Sequence, residues 1–282
     1  MIHLKELLAH ADQKGYAIPA FNYSDIWELQ AIVEAAQEAH APVICQSHMR
    51  VVNVFSPAWL GKLGQAAMEQ ATVPVINHLD HCNSIALCQT AMDCGYPSVM
   101  YDGSALSLEE NIENTKAVTV CAKRTGVCVE GEIGRIKGAS SEGVFTGGEF
   151  LVRVEDAVRM TEEAGVDSLA IGLGNAHGFY TETPQLNFQR LQEVNRAIST
   201  PLVLHGGTGI PDAHIQQAIQ LGINKVNVGT HLHHTYIETR RSTLATEDVQ
   251  ENILKTMLPV KHAVKAVVTK WIHLCMARPS VS

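Results

Sequence analysis

The chain has 282 residues and a formal net charge of −8 at pH 7, with hydrophobic residues at 46% and aromatic residues at 5%. This acidic balance argues against a surface for nucleic acid or anionic membranes, because both need clustered Lys and Arg. The length suits one α/β barrel, and the shortage of aromatic residues favours an aliphatic core over an aromatic-rich β-sandwich.

The seven cysteines show no CxxC spacing, and their odd number argues against a disulfide framework. The first residues, MIHLKELLAHADQ, lack the apolar segment and cleavage site of a secretory signal. No apolar run reaches the length of a membrane span. We therefore expect a cytoplasmic protein of a reducing compartment.

Short apolar runs with strand composition recur along the chain and alternate with segments of helical periodicity. The helical segments include 26–39 and 187–198, and Ser107 with Glu110 is a capping-box signature for a helix ending near Arg124. The eight predicted strands are 17–21, 42–46, 73–77, 98–101, 127–131, 168–172, 201–204 and 225–228.

Glycines just before four of these strands indicate helix C-caps: Gly95, Gly126, Gly165 and Gly222. The alternation of helices with nearly continuous apolar strands predicts a parallel sheet covered by helices. Eight such units favour a (β/α)8 TIM barrel with a C-terminal helical extension, and a doubly wound open sheet is the alternative. We expect a single domain over residues 1–282, with a helical tail at 231–282.

The longest interval between predicted strands contains the glycine-rich segment 135–150, RIKGASSEGVFTGGEF. A loop of this kind at the active face of a barrel is typical of a lid. The alternative is an incidental surface insertion.

In barrel enzymes the active site lies at the carboxyl ends of the strands. Every predicted strand carries a polar residue at or just beyond that end, which scattered surface residues would not do. These residues are Asn22, His48, Asp80 with His81, Asp102, Glu132, His177, His205, and Asn227 with Thr230.

Three of the strand-end residues predict a metal site. His81, His177 and His205 each follow an apolar run and stand beside glycine or aspartate. Three neutral imidazoles with one open position form the ligand set of a catalytic zinc. Asp80, adjacent to His81, is placed to act as an acid or base.

Two glycine-bearing loops predict a phosphate site. HGGTG at 205–209 follows the seventh strand, and NVGT at 227–230 follows the eighth and leads into a helix. Backbone amides in such loops and the helix N-terminus form the usual phosphate site of barrels. A metal on His205 could then contact the carbonyl end of the molecule whose phosphate the loops hold.

Other polar residues have structural interpretations. Asp102 lies in an Asp-Gly pair that favours turns, and a structural role is favoured for His78. The HLHH segment at 231–234 is interpreted as the surface of a polar helix. Glu130 and Glu132 share one strand face, and two carboxylates inside a barrel need a cation nearby.

Six motifs in sequence order, HLDH, MYDGS, EGEIG, AHGFY, LHGGTGIP and KVNVGT, resemble those of the class II, zinc-dependent fructose- and tagatose-bisphosphate aldolase family. The resemblance is collinear over roughly residues 1–230. It implies a metal-dependent aldolase, a carbon–carbon lyase, that reversibly cleaves a phosphorylated ketose to dihydroxyacetone phosphate and an aldehyde.

The resemblance implies one Zn²⁺ per chain on His81, His177 and His205, with Asp80 moving the proton of the substrate hydroxyl. It implies that Asp102 and Glu132 form an alternative metal position or support the ligands. It also implies a homodimer or homotetramer and a monovalent cation, Na⁺ or K⁺, near the phosphate glycines. Together with the strand-end Asn22, the substrate- and phosphate-binding residues are Gly178, Gly206, Gly207, Thr208, Asn227, Val228, Gly229 and Thr230.

The chain departs from the family pattern at several positions. The family's lid has acidic residues after a Gly-Gly pair, whereas residues 138–141 are Gly-Ala-Ser-Ser and Glu142 is the nearest acid. We predict that Glu142 is the lid base. His48 stands where Ser or Gly is common, and Gly229 replaces an acid found in some fructose-bisphosphate enzymes. These departures leave the exact ketose open.

Two other functions remain open from the sequence. One is another barrel metalloenzyme acting on a sugar phosphate, a hydrolase or an isomerase. The first predicted strand ends in Ala20, Phe21 and Asn22 without a His-x-His pair, which argues against the hydrolase. The other is a non-catalytic protein that binds sugar phosphates and has lost the lid acid.

Overall fold

The structure is a computed structural model that describes residues 3–134, 151–176, 178, 184–246 and 252–277. Its strands are all parallel and close into a barrel in chain order, with β8 paired to β1. The predicted (β/α)8 barrel is confirmed, and the open doubly wound sheet is wrong. The strands are β1 Ile18–Asn22, β2 Val43–His48, β3 Val75–Cys82, β4 Ser98–Tyr101, β5 Cys128–Ile133, β6 Ser168–Ile171, β7 Leu202–Leu204 and β8 Ile223–Val228.

Helices cover the outer face of the barrel, as the alternating pattern predicts. In the described residues they are α1 Leu4–Lys14, α2 Ile26–Glu38, α3 Met49–Phe55, α4 Pro57–Gln70, α5 Ile85–Asp93, α6 Leu108–Ala122, α7 Val154–Arg159 with a π-helical continuation Met160–Ala164, α8 Phe188–Ala197, α9 Asp212–Gln220, α10 Thr230–Leu244 and α11 Ile253–Met276.

Local signals for helix ends are confirmed at Ser107 and Gly165. The Ser107 hydroxyl accepts a hydrogen bond from the backbone N–H of Glu110, and the Glu110 carboxylate accepts one from the backbone N–H of Ser107. Gly165 is the C-cap of the helical segment that ends at Ala164, with a φ angle of 69°, the left-handed conformation that favours glycine. Gly126 has a φ angle of 70° but lies in the turn beyond α6, whose C-cap is Lys123.

The third strand is longer than the apolar pattern predicts. The expected segment was 73–77, whereas β3 runs from Val75 to Cys82 and all of its residues are buried. Polar side chains at His78, Asp80 and His81 continue the strand because the barrel interior supplies them with partners. A hydropathy pattern alone therefore ends this strand too early.

Helix α1 closes the amino-terminal end of the barrel. Its buried Leu4 and Leu8 pack with Ile18, Ile44 and Ile76, which lie near the starts of their strands. The contacts between α1 and the strand starts are thus mainly apolar.

Nearer the carboxyl ends, the inward positions are polar and fully buried. On β3, His78 follows Ile76 on the same face, since alternate residues of a strand share a face. On β5 and β8, the buried polar residues Glu130 and Lys225 lie well inside the barrel. Aliphatic residues on the alternate positions pack outward against the helices.

The predicted tail is helical over α10 and α11 in the described part of the chain. Val260, Val264 and Val268 of α11 are buried, and α11 packs against α2 and α10. The N–H of Ala17 donates to the Cys275 carbonyl at 3.0 Å, which connects the end of α11 to the chain just before β1. The single-domain boundary 1–282 stays a prediction, and the predicted lid at 135–150 lies outside the described residues.

Of the described helices, none combines the length and the apolar character that crossing a membrane requires.

Candidate active site

A bulge in β3 turns two consecutive residues toward the same site. The register of β3 against β4 shifts between Leu79 and Cys82, and His81 has a φ angle of 51°. In a regular strand, Asp80 and His81 would point to opposite faces. The left-handed residue costs on the order of 1–3 kcal/mol, and such strain is characteristic of functional sites. It allows Asp80 and His81 to line one cavity.

His81 and His205 face each other across the carboxyl end of the barrel. The Nε2 atom of His81 lies 3.0 Å from Nδ1 of His205. The ring planes are nearly perpendicular, at 88°, with centroids 4.7 Å apart. Two imidazole nitrogens on one tetrahedral zinc, each about 2.0–2.1 Å from the metal, lie about 3.3 Å apart. The pair is thus close to the spacing that a shared metal needs.

The outward nitrogen of each ring is held by a carboxylate. His81 Nδ1 lies 2.8 Å from Asp102 Oδ2, and His205 Nε2 lies 2.9 Å from Glu130 Oε1. Histidines that bind metals usually donate their second N–H to such a partner, which fixes the tautomer. When both outer nitrogens are donors, the inner nitrogens, Nε2 of His81 and Nδ1 of His205, face each other and can share one metal ion.

Opposing electrostatic effects set the charge of the two histidines. Burial alone would lower the pKa of His81, but the carboxylates of Asp80 and Asp102 raise it to about 10. Burial lowers the pKa of His205 and outweighs the bond from Glu130. Without a metal, these shifts favour protonation of His81 over protonation of His205. A metal ion would replace this proton, so metal binding releases a proton.

Glu132 supplies a separate sign of a cation site. Its Oε2 atom is buried and has no hydrogen-bond partner, and it lies 3.8 Å from Nδ1 of both His81 and His205. Burial and the nearby Asp102 raise the pKa of Glu132 well above its usual value. A bound cation would satisfy this oxygen. The donors therefore fit a metal.

Candidate ligand atoms converge in two overlapping groups. One contains Asp80, His81 and His205, and the other contains His81, Asp102 and Glu132. The predicted third zinc ligand, His177, lies outside the described residues. Its neighbour Gly178 lines the same cavity as His81.

Two neutral amides orient the carboxylate of Asp80. Its Oδ2 atom accepts from Asn22 Nδ2 at 2.8 Å, and its Oδ1 atom accepts from Asn227 Nδ2 at 3.3 Å. Burial would raise the pKa of Asp80, but the positive charge of His81 holds it far below its usual range. A cavity-lining carboxylate that is ionised and oriented can accept a proton from a bound molecule.

The cavity above these residues has a volume of about 370 Å³ and combines the β3 site with the loops after β7 and β8. This is the size of a small-molecule site. Its described lining residues are Asn22, His48, Arg50, Val51, Asp80, His81, Gly178, Gly206, Thr208, Asn227, Gly229, Thr230 and His233.

The two glycine-bearing loops are joined to each other at the cavity. The N–H of Gly207 donates to the Asn227 carbonyl at 3.0 Å, and the Thr208 hydroxyl accepts from the N–H of His231 at 3.1 Å. Thr230 begins α10, whose N-terminus therefore reaches the cavity wall. Free amides at a helix N-terminus favour an anion.

Gly229 has a steric role that the sequence does not reveal. A Cβ atom at this position would lie 2.7 Å from Oδ1 of Asn22. Asn22 also accepts from Gln46 Nε2 at 2.9 Å and orients Asp80. A side chain at 229 would therefore displace the amide that holds the candidate base.

The remaining predicted substrate residues are placed differently. The side chain of Val228 is buried in the core between barrel and helices, so only its backbone faces the loops. Gly207 is packed closely, because a Cβ atom added there would lie 3.0 Å from Cγ1 of Val226. His48 lines the cavity, with its ring centroid 5.6 Å from that of His81.

Sequence reasoning missed three charged or titratable residues near the site. Lys225 is the cation that the inward Glu130 requires, with Nζ 2.6 Å from Oε2. Lys225 lies two residues before Asn227 on β8, so both side chains share one strand face, and this spacing could have predicted that Lys225 points into the barrel. Arg50 lines the cavity two residues after His48, in the first turn of α3. His233 also lines it and bonds to the buried Glu28 at 3.1 Å, although the HLHH segment was interpreted as helix surface.

Comparisons with known proteins agree with this geometry. A family model described as "Fructose-bisphosphate aldolase class-II" matches residues 2–279. A sulfofructosephosphate aldolase of Alkalicoccus urumqiensis is 38% identical over 241 residues, covering 85% of this chain and 84% of that protein. The structure of the YdjI aldolase from Escherichia coli K12 aligns over 100% of both chains with a TM-score of 0.87 and 33% identity. The fructose-bisphosphate aldolase of Campylobacter jejuni, at 20% identity and a TM-score of 0.81 over 96% of this chain and 93% of that one, supports the fold alone.

Proposed function

Because the chain belongs to the class II fructose-bisphosphate aldolase family, we propose that it is a zinc-dependent aldolase acting on a phosphorylated ketose. The products are dihydroxyacetone phosphate and an aldehyde, and the reaction is reversible. The observation that carries the proposal is the pair of inner nitrogens of His81 and His205, 3.0 Å apart beside the carboxylate of Asp80. Family membership supports a lyase over the hydrolase, isomerase and non-catalytic alternatives.

We assign the metal to His81 and His205, with His177 as the third ligand predicted from the sequence. Asp102 and Glu132 lie behind His81 and would support it or offer a second metal position. When bound, zinc would polarise the carbonyl oxygen of the ketose as a Lewis acid. The facing nitrogens and the unpartnered Glu132 oxygen support this assignment.

Asp80 is the proposed base for bond cleavage. Its carboxylate takes the proton of the substrate hydroxyl next to the carbon–carbon bond. The O–H electron pair forms the aldehyde carbonyl, and the pair of the broken carbon–carbon bond stays on the dihydroxyacetone phosphate carbon. Glu142 is the proposed acid that returns a proton to this carbon. In the synthetic direction both transfers reverse.

The loops after β7 and β8 are the proposed phosphate site. Gly206, Thr208, Gly229 and Thr230 line the cavity, and the N-terminus of α10 reaches the same wall. The global charge of −8 would repel an anion, so the phosphate must be held by local amides and hydroxyls. A monovalent cation near these glycines, and a homodimer or homotetramer, complete the proposal.

The other end of the substrate is proposed to carry a second anionic group. Arg50 is the only Lys or Arg among the described residues that line the cavity. It lies in the first turn of α3, just after β2, and β1 separates β2 from β8 in the barrel. The name of the Alkalicoccus relative indicates a sulfonated ketose phosphate. Bisphosphorylated and sulfonated ketose phosphates are therefore the first substrates to test.

The test that separates an aldolase from a hydrolase or a binding protein is exchange of the pro-chiral hydrogen of dihydroxyacetone phosphate with solvent deuterium. An aldolase catalyses this exchange without an aldehyde, whereas a sugar-phosphate hydrolase or a binding protein does not. We expect exchange that a chelator abolishes and added Zn²⁺ restores. A turnover panel of ketose mono-, bis- and sulfo-phosphates then identifies the substrate. Absence of exchange in the zinc-loaded protein would contradict the proposal.

A further inference from the structure

A chain of buried charges extends behind His205, away from the cavity. The Nε2 atom of His205 lies 2.9 Å from Oε1 of Glu130, and Oε2 of Glu130 accepts from Nζ of Lys225 at 2.6 Å. The side chains of all three residues are 0% exposed. Neither Glu130 nor Lys225 is among the described cavity-lining residues.

The ion pair spans the interior of the barrel. Glu130 lies on β5 and Lys225 on β8, two strands that do not pair with each other. Ser168 on β6 donates a further, longer bond of 3.4 Å to the same oxygen of Glu130 that Lys225 contacts. Both oxygens of Glu130 therefore have fixed partners. The carboxylate cannot rotate away from His205 without losing the ammonium.

Burying two full charges is costly, and an apolar pair of similar volume is often at least as stable. A gain in folding stability therefore does not explain why a Lys–Glu pair lies at the centre of this barrel. Its geometric consequence is specific, because an ionised Glu130 can only accept hydrogen bonds. His205 must then carry its hydrogen on Nε2, and its Nδ1 turns toward His81.

We propose that Glu130 and Lys225 are positioning residues that hold His205 in the orientation and tautomer in which Nδ1 binds the metal. The inference rests on the proposed metal site of His81 and His205. The side-chain nitrogen of Asn227 also lies 3.1 Å from His205 Nε2. With hydrogen on Nε2 this contact is not a hydrogen bond, because an amide nitrogen only donates, and the bond that Asn227 Nδ2 makes is the one to Asp80 Oδ1 at 3.3 Å.

The test is the zinc affinity of the metal-free protein, measured by competition with a chelator. Glu130→Gln keeps the shape of the side chain and removes its charge, and we expect zinc binding weakened about 10- to 100-fold. Glu28→Gln is the matched control, because Glu28 is also buried and bonded to a histidine, His233, that belongs to no described metal group. Its zinc affinity should equal that of the wild type.

Glu130→Gln leaves Lys225 buried without a counter-charge and could unfold the barrel. The double variant Glu130→Gln/Lys225→Met removes both charges and should fold with the same loss of zinc affinity. Unchanged affinity in either folded Glu130 variant overturns the proposal, as does an equal loss in Glu28→Gln. Failure of the wild type to bind zinc would instead overturn the proposed function.

A measurement on the wild type does not depend on any variant folding. Nitrogen-15 NMR of the metal-free protein shows which ring nitrogen of His205 carries the hydrogen, with the signal assigned by its absence in His205→Asn. We expect hydrogen on Nε2. Hydrogen on Nδ1 with a bare Nε2 overturns the proposal.

Discussion

His205 is the residue on which most of the candidate site converges. It faces His81 through one nitrogen, contacts Glu130 through the other, and receives a bond from Asn175 Nδ2 at its backbone carbonyl, 2.8 Å away. Its side chain is fully buried. A histidine whose two ring nitrogens and carbonyl all have partners has little freedom, as expected of a preorganised ligand.

Replacing His205 with Ala should therefore abolish both zinc content and aldolase activity, because one of the two facing nitrogens is lost. Metal analysis of the purified variant measures the first effect and a coupled assay measures the second. His10→Gln serves as control, since His10 bonds to Tyr16 on the opposite, α1 end of the barrel. Full zinc retention in His205→Ala would remove His205 from the ligand set.

Asp80 is predicted to act in proton transfer and not in metal retention. Asp80→Asn preserves the shape of the side chain but cannot accept the proton of the substrate hydroxyl. We expect zinc and phosphate binding to persist while the cleavage rate falls on the order of 10²–10⁴-fold. Single-turnover cleavage and zinc analysis on the same sample separate the two effects. Unchanged turnover would assign the proton transfer to another group.

At the scale of elements, the segment 135–150 between β5 and α7 carries the predicted lid base. Glu142→Gln should slow solvent exchange of the dihydroxyacetone phosphate hydrogen far more than it weakens binding. The reason is that Glu142 is expected to reach the carbon that gains or loses the proton only in the closed complex. Exchange followed by proton NMR, with binding measured by calorimetry, checks this.

Glu149→Gln is the matched variant at the other end of the same segment. Normal exchange in Glu142→Gln together with loss in Glu149→Gln would identify Glu149, and not Glu142, as the base. Normal exchange in both variants would exclude this segment as its source.

At the scale of the whole molecule, the polar interior ties folding to the metal. Metal-free protein keeps a protonated His81 and an unpartnered Glu132 oxygen inside the barrel. Zinc at about a hundred times its Kd stabilises the folded state by about 2.7 kcal/mol. For a chain of this length, the melting temperature should then rise by roughly 5 °C.

Calorimetry of chelated and zinc-loaded protein measures this shift. His205→Ala should melt at the same temperature with and without zinc, because its site is incomplete. A zinc-dependent shift that survives in His205→Ala would mean that the stabilising ion binds elsewhere.

The sequence by itself determined a parallel sheet covered by helices, because the apolar runs alternate with helical segments and can bury both faces only in this way. The number of units, eight, favoured the closed barrel over the open sheet. The sequence also placed polar residues at the strand ends, and of these Asp80, His81 and His205 lie together in the structure. Local signals such as the Ser107 capping box were readable for the same reason, since they depend on residues three positions apart.

Only the tertiary structure decided which polar residues meet. The β3 bulge that brings Asp80 and His81 to one cavity depends on pairing with β4, which period-two reasoning cannot foresee. The partner of Glu130 is Lys225, 95 residues away on a strand that does not pair with β5. Arg50 and His233 reach the cavity through the packing of helices on the barrel. Contacts across a closed barrel are set by its register and closure, and no local pattern encodes them.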